Sequence, residues 1–149
     1  MIKRTAGERM RDVTNKRDFD PQWIAIGAAF GLISGMMGAG GIHFFESRLT
    51  LESLDILYIG VKYQMYHALA LLVLGTLSNN SDDVLLNLSG WLFTTGIILF
   101  SGSLYMLSFT GYHLLGAITP FGGLALFAGW TCLMFFAIRQ RHPYKKHVS

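Results

Sequence analysis

Charge is what this chain lacks. From Val84 to Ile138 it runs for fifty-five residues without an Asp, Glu, Lys or Arg, and only 14% of all 149 residues are charged. An ionised side chain at a bilayer centre costs about 2.5–3.5 kcal/mol on insertion scales, so a long charge-free apolar run belongs in lipid. Cysteine is limited to Cys132, which excludes an intrachain disulfide and reads as a small apolar residue within a helix. The sequence has no P-loop, no Cys-x-x-Cys, no acid pair inside the apolar runs and no nucleophile with a base beside it. No catalytic residue, metal or cofactor is therefore expected, and an enzyme is not the expected class. The net charge of +3 comes from the two ends, which argues against nucleic acid as a partner.

What the chain has is apolar length and glycine: 52% hydrophobic residues and 17 glycines. Four spans follow, at about 23–45, 60–77, 85–109 and 114–138, each near the ~20 residues that a ~30 Å hydrocarbon core requires. Asp20-Pro21 opens the first with an N-cap carboxylate and a proline at the first helical position. The second continues an amphipathic stretch from near Thr50. Thr119-Pro120 interrupts the fourth, either as a kink or with Thr119 capping a helix that starts at Pro120. The fold class expected is an all-α integral membrane four-helix bundle over 21–138, between a charged tail (1–20) and a basic one (139–149). Ten of the twelve Lys and Arg lie in these tails, all except Arg48 and Lys62. The positive-inside rule then places both termini in the cytoplasm, with the protein in the plasma (inner) membrane. A first apolar run of 23 residues exceeds the roughly 7–15 residues of a signal-peptide core, so a retained helix is expected.

Small residues recur every fourth position at Gly27, Gly31, Gly35 and Ala39, a stripe suited to close helix packing. A four-residue step advances about 40° around the helix, so the stripe wraps slowly. Polar side chains gather from all four spans towards the non-cytoplasmic half: His43, Tyr63, Gln64, His67, Ser101, Ser103, Tyr105 and Thr119. Such groups must find partners in lipid, and ionisable ones are functional candidates. The layer reads either as an interhelical hydrogen-bond clamp, with His67 held by Tyr105 or a backbone carbonyl, or as the lining of a ligand cavity. His43 and His67 could also be imagined as haem ligands, but two lone histidines are a weak signal.

Three blocks carry a resemblance: Tyr63-Gln64-Met65-Tyr66-His67-Ala68-Leu69-Ala70, Phe100-Ser101-Gly102-Ser103-Leu104-Tyr105, and Gly116-Ala117-Ile118-Thr119-Pro120-Phe121-Gly122-Gly123 followed by Gly129-Trp130. In this order they resemble the signature blocks of domain-of-unknown-function family 423, also uncharacterised protein family 0382, with its YgdD-type small inner-membrane proteins. The resemblance covers about residues 22–138. Two departures stand out: a charged leader of about 20 residues, and Gly38-Ala39-Gly40-Gly41-Ile42-His43 where the family commonly has Gly-Ala-x-Gly-Ala-His. The resemblance implies four membrane helices and brings no catalytic residue or substrate.

The function expected from these observations is a non-enzymatic accessory or stabilising component of a membrane complex, with the lipid bilayer and other membrane proteins as partners. The alternative is binding or transport of a small ligand, lipid or quinone at the polar layer. The halves 22–77 and 85–138 share only glycine richness, so the repeat architecture common in transporters is missing.

Overall fold

The computed structural model describes residues 19–78 and 83–140, apart from the side chains of residues 41–43. Residues 1–18 and 141–149, which make up most of the two charged tails, and residues 79–82 therefore lie outside the described residues. Helix α1 (Pro21–Met36) starts where Asp20 accepts a bond from the Gln22 N–H at 2.9 Å, with Pro21 spending no donor in the first turn. It passes through a π-turn at Met37–Gly41 into the short α2 (Ile42–Phe45). The run Met37-Gly38-Ala39-Gly40-Gly41 offers almost no side-chain packing to hold a regular ladder, and π-turns commonly occur as such single-turn insertions. The expected first span, 23–45, is thus a helix with a widened turn in its last third.

Helix α3 (Leu51–Leu77) is one continuous helix of 27 residues, about 40 Å long, capped by the Thr50 hydroxyl on the Ser53 N–H. Helix α4 (Val84–Thr110) has the same length; it opens on the Asp83 carboxylate and stops at Gly111, whose φ of 67° is a left-handed conformation favourable to glycine. A 3₁₀ turn (His113–Ala117) precedes α5 (Thr119–Gln140). Thr119-Pro120 is accordingly a break between two helical pieces, with the proline in the first turn of α5, where its missing N–H costs nothing. Among the described residues, four helical stretches are long and apolar enough to cross a bilayer: Pro21–Gly40, Leu51–Leu77, Val84–Thr110 and His113–Gln140.

The stretches form a four-helix bundle with a central pair, α3 and α4; α1 packs on α3, and α5 packs on α4. The core, including Trp23, Leu71, Leu74, Leu86, Phe93, Ile97 and Leu126, lies towards the end that carries Asp20, Ser78 and Asp83. Glycines set the close approaches. A Cβ on Gly27 would stand 2.8 Å from the Ala68 carbonyl oxygen, and one on Gly122 would strike the Phe100 backbone. Trp23 is buried over Gly90 and meets Trp91 edge-on at 5.5 Å.

The four-residue stripe needs correction as a packing surface within the chain. Gly27 is in tight contact and a Cβ on Gly31 would only reach the Ala68 Cβ, at 4.0 Å, whereas one on Gly35 would point into open space and Ala39 is exposed. The wrap of about 40° per step carries the stripe off the interface within two steps. The seam that does face α3 follows Trp23, Gly27, Phe30 and Ser34, in steps of four, three and four that keep close to the roughly 3.6-residue helical period and so hold one row of residues against its neighbour.

Candidate functional site

Midway along α3, two polar side chains one turn apart reach in different directions. Gln64 is buried and joins three helices: its Nε2 donates to the Phe30 carbonyl of α1 at 2.8 Å, and its Oε1 accepts from the Tyr105 hydroxyl of α4 at 2.9 Å. A buried amide whose two ends are both used fixes the relative height of the helices it joins, because leaving either end unpaired would cost about 1–3 kcal/mol.

His67, also buried, turns towards α5. Its Nδ1 lies 2.7 Å from the carbonyl oxygen of Tyr63, one turn earlier on the same helix, and its Nε2 lies 3.1 Å from the indole Nε1 of Trp130. A carbonyl only accepts and an indole N–H only donates. The two bonds together require the neutral imidazole with the proton on Nδ1, and they occupy both ring nitrogens. The rings of Phe93 and Trp130 enclose the imidazole, with centroids 5.6 and 6.1 Å away. Tyr105, one of the partners expected for His67, bonds to Gln64 instead.

Nearer the Gly111 end, the Ser103 hydroxyl donates to the Phe100 carbonyl at 2.9 Å and stands 2.9 Å from the Thr119 hydroxyl. Either hydroxyl can donate across this contact, with the Leu115 carbonyl 3.5 Å from the Thr119 hydroxyl as its other acceptor, and the pair ties α4 to the start of α5. Ser101 is buried with no hydrogen-bond partner among the described residues. Tyr63 stacks on His67 and tilts against Phe100 with ring centroids 4.9 Å apart, but it is 41% exposed. His43 lies in α2, and its side chain is outside the described residues. The set expected as one layer is therefore distributed over three bonded groups, Gln64 with Tyr105, His67 with Trp130, and Ser103 with Thr119.

Several interhelical bonds were absent from the sequence reading. Ser34 donates to the Val61 carbonyl at 2.8 Å, Ser89 to the Gly129 carbonyl at 2.9 Å, and Ser108 to the Ser53 carbonyl at 2.7 Å. Each serine faces a neighbouring backbone, and the helical row of Trp23, Gly27 and Phe30 would have pointed to Ser34. Trp130 was missed because its bulk reads as apolar. Its indole N–H is nevertheless an obligate donor that needs an acceptor when withdrawn from water.

Beside the His67–Trp130 bond lies a partly open cleft of about 440 Å³. Tyr63, Tyr66 and His67 of α3 form one wall, Gly123, Leu126, Phe127 and Trp130 of α5 the other, and Phe100 of α4 the floor. Gly123 is what leaves it room: a Cβ there would just reach the Phe100 ring, at 3.7 Å. Water takes about 30 Å³ per molecule, and ligand sites run from about 300 Å³ upwards, so the cleft has the capacity of a ligand site. A smaller recess of about 250 Å³ lies on the opposite face, between Phe30 and Ile33 of α1 and Ile98 and Gly102 of α4, over Gln64 and Tyr105. Among the described residues, no group of three or more His, Cys, Asp or Glu side chains is arranged to hold a metal.

Comparison with known proteins places this architecture. Residues 37–123 match the family model described as "Protein of unknown function (DUF423)". The chain is 41% identical over 112 residues to the UPF0382 membrane protein SH2409 of Staphylococcus haemolyticus, covering 75% of this chain and 91% of that protein. It is 40% identical over 118 residues to the UPF0382 membrane protein YwdK of Bacillus subtilis, covering 78% of this chain and 96% of that protein. No solved structure matches. With the model spanning all three signature blocks up to Gly123 and relatives aligned over nearly their whole length, the chain belongs to the DUF423 family of UPF0382 membrane proteins.

Proposed function

We propose that this protein is a non-enzymatic, multi-pass inner-membrane protein, with both tails cytoplasmic, whose α3–α5 cleft binds a lipophilic ligand. The observation that carries this reading is the cleft of about 440 Å³ walled by aromatic and aliphatic side chains, with the His67–Trp130 bond at its edge. A site of this size with few polar groups selects for apolar bulk and uses those groups to orient it. The same geometry supports binding over catalysis. Both nitrogens of His67 are engaged, and its Nδ1 partner is a backbone carbonyl, so the ring lacks the carboxylate that orients a general base in the familiar triads.

Gly123→Leu tests the reading by filling the cleft from a wall that has room for a side chain. Native mass spectrometry of the gently purified protein should find a lipophilic adduct on the parent, reduced at least several-fold in the variant. Equal adducts on both would remove the cleft as the binding site.

A second reading, as an accessory subunit of a membrane complex, is favoured by the outward end of the α1 stripe. A Cβ on Gly35 would meet no other part of the chain within 4 Å, and Ala39 is exposed. Small residues facing outward from a membrane helix allow a neighbouring helix to approach closely.

A further inference from the structure

Resting on the reading of the cleft as a ligand site, we propose that its occupant is an anionic phospholipid, with the headgroup at Lys62 and one acyl chain in the cleft. Lys62 is the only Lys or Arg between Arg48 and Arg139. It is exposed, and no ion pair links it to another described residue. It stands two residues, about 3 Å, inside the span expected at 60–77, from where its ammonium reaches back to the bilayer surface for a counter-charge. Asp55 lies seven residues further out, about 10.5 Å along the helix, too far to supply that charge.

The helix directs the lysine and the cleft to the same boundary. Side chains on an α-helix tilt towards its N-terminus. Those of Lys62, Tyr63 and Tyr66 therefore lean together towards the Thr50 end of α3, where headgroups lie. Lys62 and Tyr66 are neighbours at i and i+4, and both tyrosine rings line the cleft. The phenol hydroxyls are donors placed between the ammonium and the apolar floor, in position for phosphate or ester oxygens. Below them Phe100, Leu126 and Phe127 offer only hydrocarbon, which suits an acyl chain and gives free phosphate nothing to hold. Charge at the mouth and hydrocarbon beneath it is the complement of an anionic amphiphile.

Trp130 is a built-in reporter, because Trp23 is buried and Trp91→Phe removes the other exposed indole. In that background, phosphatidylcholine bilayers would be titrated with brominated phosphatidylglycerol or, in parallel, brominated phosphatidylcholine, and Trp130 quenching followed. The phosphatidylglycerol should saturate the quenching at an about fivefold lower mole fraction, the effect of one basic residue near an anionic surface. Lys62→Gln should move its curve onto that of the choline lipid, and Lys62→Arg should leave it in place. Gly123→Leu should abolish the saturable part for both lipids. Superimposed curves for the two lipids in the Lys62 protein, with Gly123→Leu still abolishing saturation, would overturn the headgroup assignment and leave the cleft as a site. Curves unaffected by Gly123→Leu would overturn the cleft reading itself.

Discussion

Gln64 and His67 sit one turn apart on the same helix, yet one closes an interface and the other borders a void. On the α1 side, Gly27 lets the backbones nearly touch, and the gap left by the next turn is just wide enough for an amide to span from Phe30 to Tyr105. On the α5 side, the rings of Phe93, Phe100 and Trp130 stand between the helices, and only a tryptophan is long enough to reach His67. The same polar chemistry, a buried donor and acceptor per residue, thus gives a clamp where small residues flank it and a bordered cleft where large ones do. Residue size around the polar group decides which.

The largest effect should come from breaking the closest approach. Gly122→Leu drives a side chain into the Phe100 backbone, whereas Gly35→Leu enters open space. Overpacking costs about 1–3 kcal/mol and more where backbone blocks the way. Thermal stability in detergent should fall by that amount or more for Gly122→Leu and hardly change for Gly35→Leu. Equal losses would mean that Gly35 is also packed, against another subunit.

A smaller effect should separate the two polar groups. Gln64→Leu strands the Phe30 carbonyl and the Tyr105 hydroxyl, while Trp130→Phe removes one bond to His67 at an already open edge. Interhelical bonds in membranes are worth about 0.6 kcal/mol each, at most about 1.7. Gln64→Leu should therefore destabilise about twice as much as Trp130→Phe, because it loses two such bonds. A greater loss from Trp130→Phe would show that the cleft side holds the bundle together and the clamp side does not.

Much of the fold was legible because length, charge and caps are local signals. Asp20-Pro21, Thr50 and Thr119-Pro120 each begin a helix, and the charge-free run divides at Gly111. The site was harder to read. The set of Gln64, His67 and Tyr105 is named by polarity, but polarity alone does not pair its members: Tyr105 goes to Gln64, and His67 goes to a residue counted as apolar. Gly35 and Ala39 share a four-residue rhythm with Gly27, and only the helical phase, accumulated over three turns, shows that they leave the interface. A ligand cavity was one of the two readings of the polar layer, and Tyr63 and His67 do line the cleft, but its mostly apolar walls were not legible, since they depend on how Phe100 and Phe127 stand between α3 and α5.

The claim that the α5 side of the bundle is a binding site is tested most directly by a structure of the protein determined in a lipid bilayer, with the region between Tyr63, Phe100, Gly123 and Trp130 resolved. This account predicts elongated non-protein density filling the cleft, with the His67–Trp130 bond intact beside it. A cleft closed by inward rotation of Phe127 and Trp130, with α5 packed directly on α3, would contradict it.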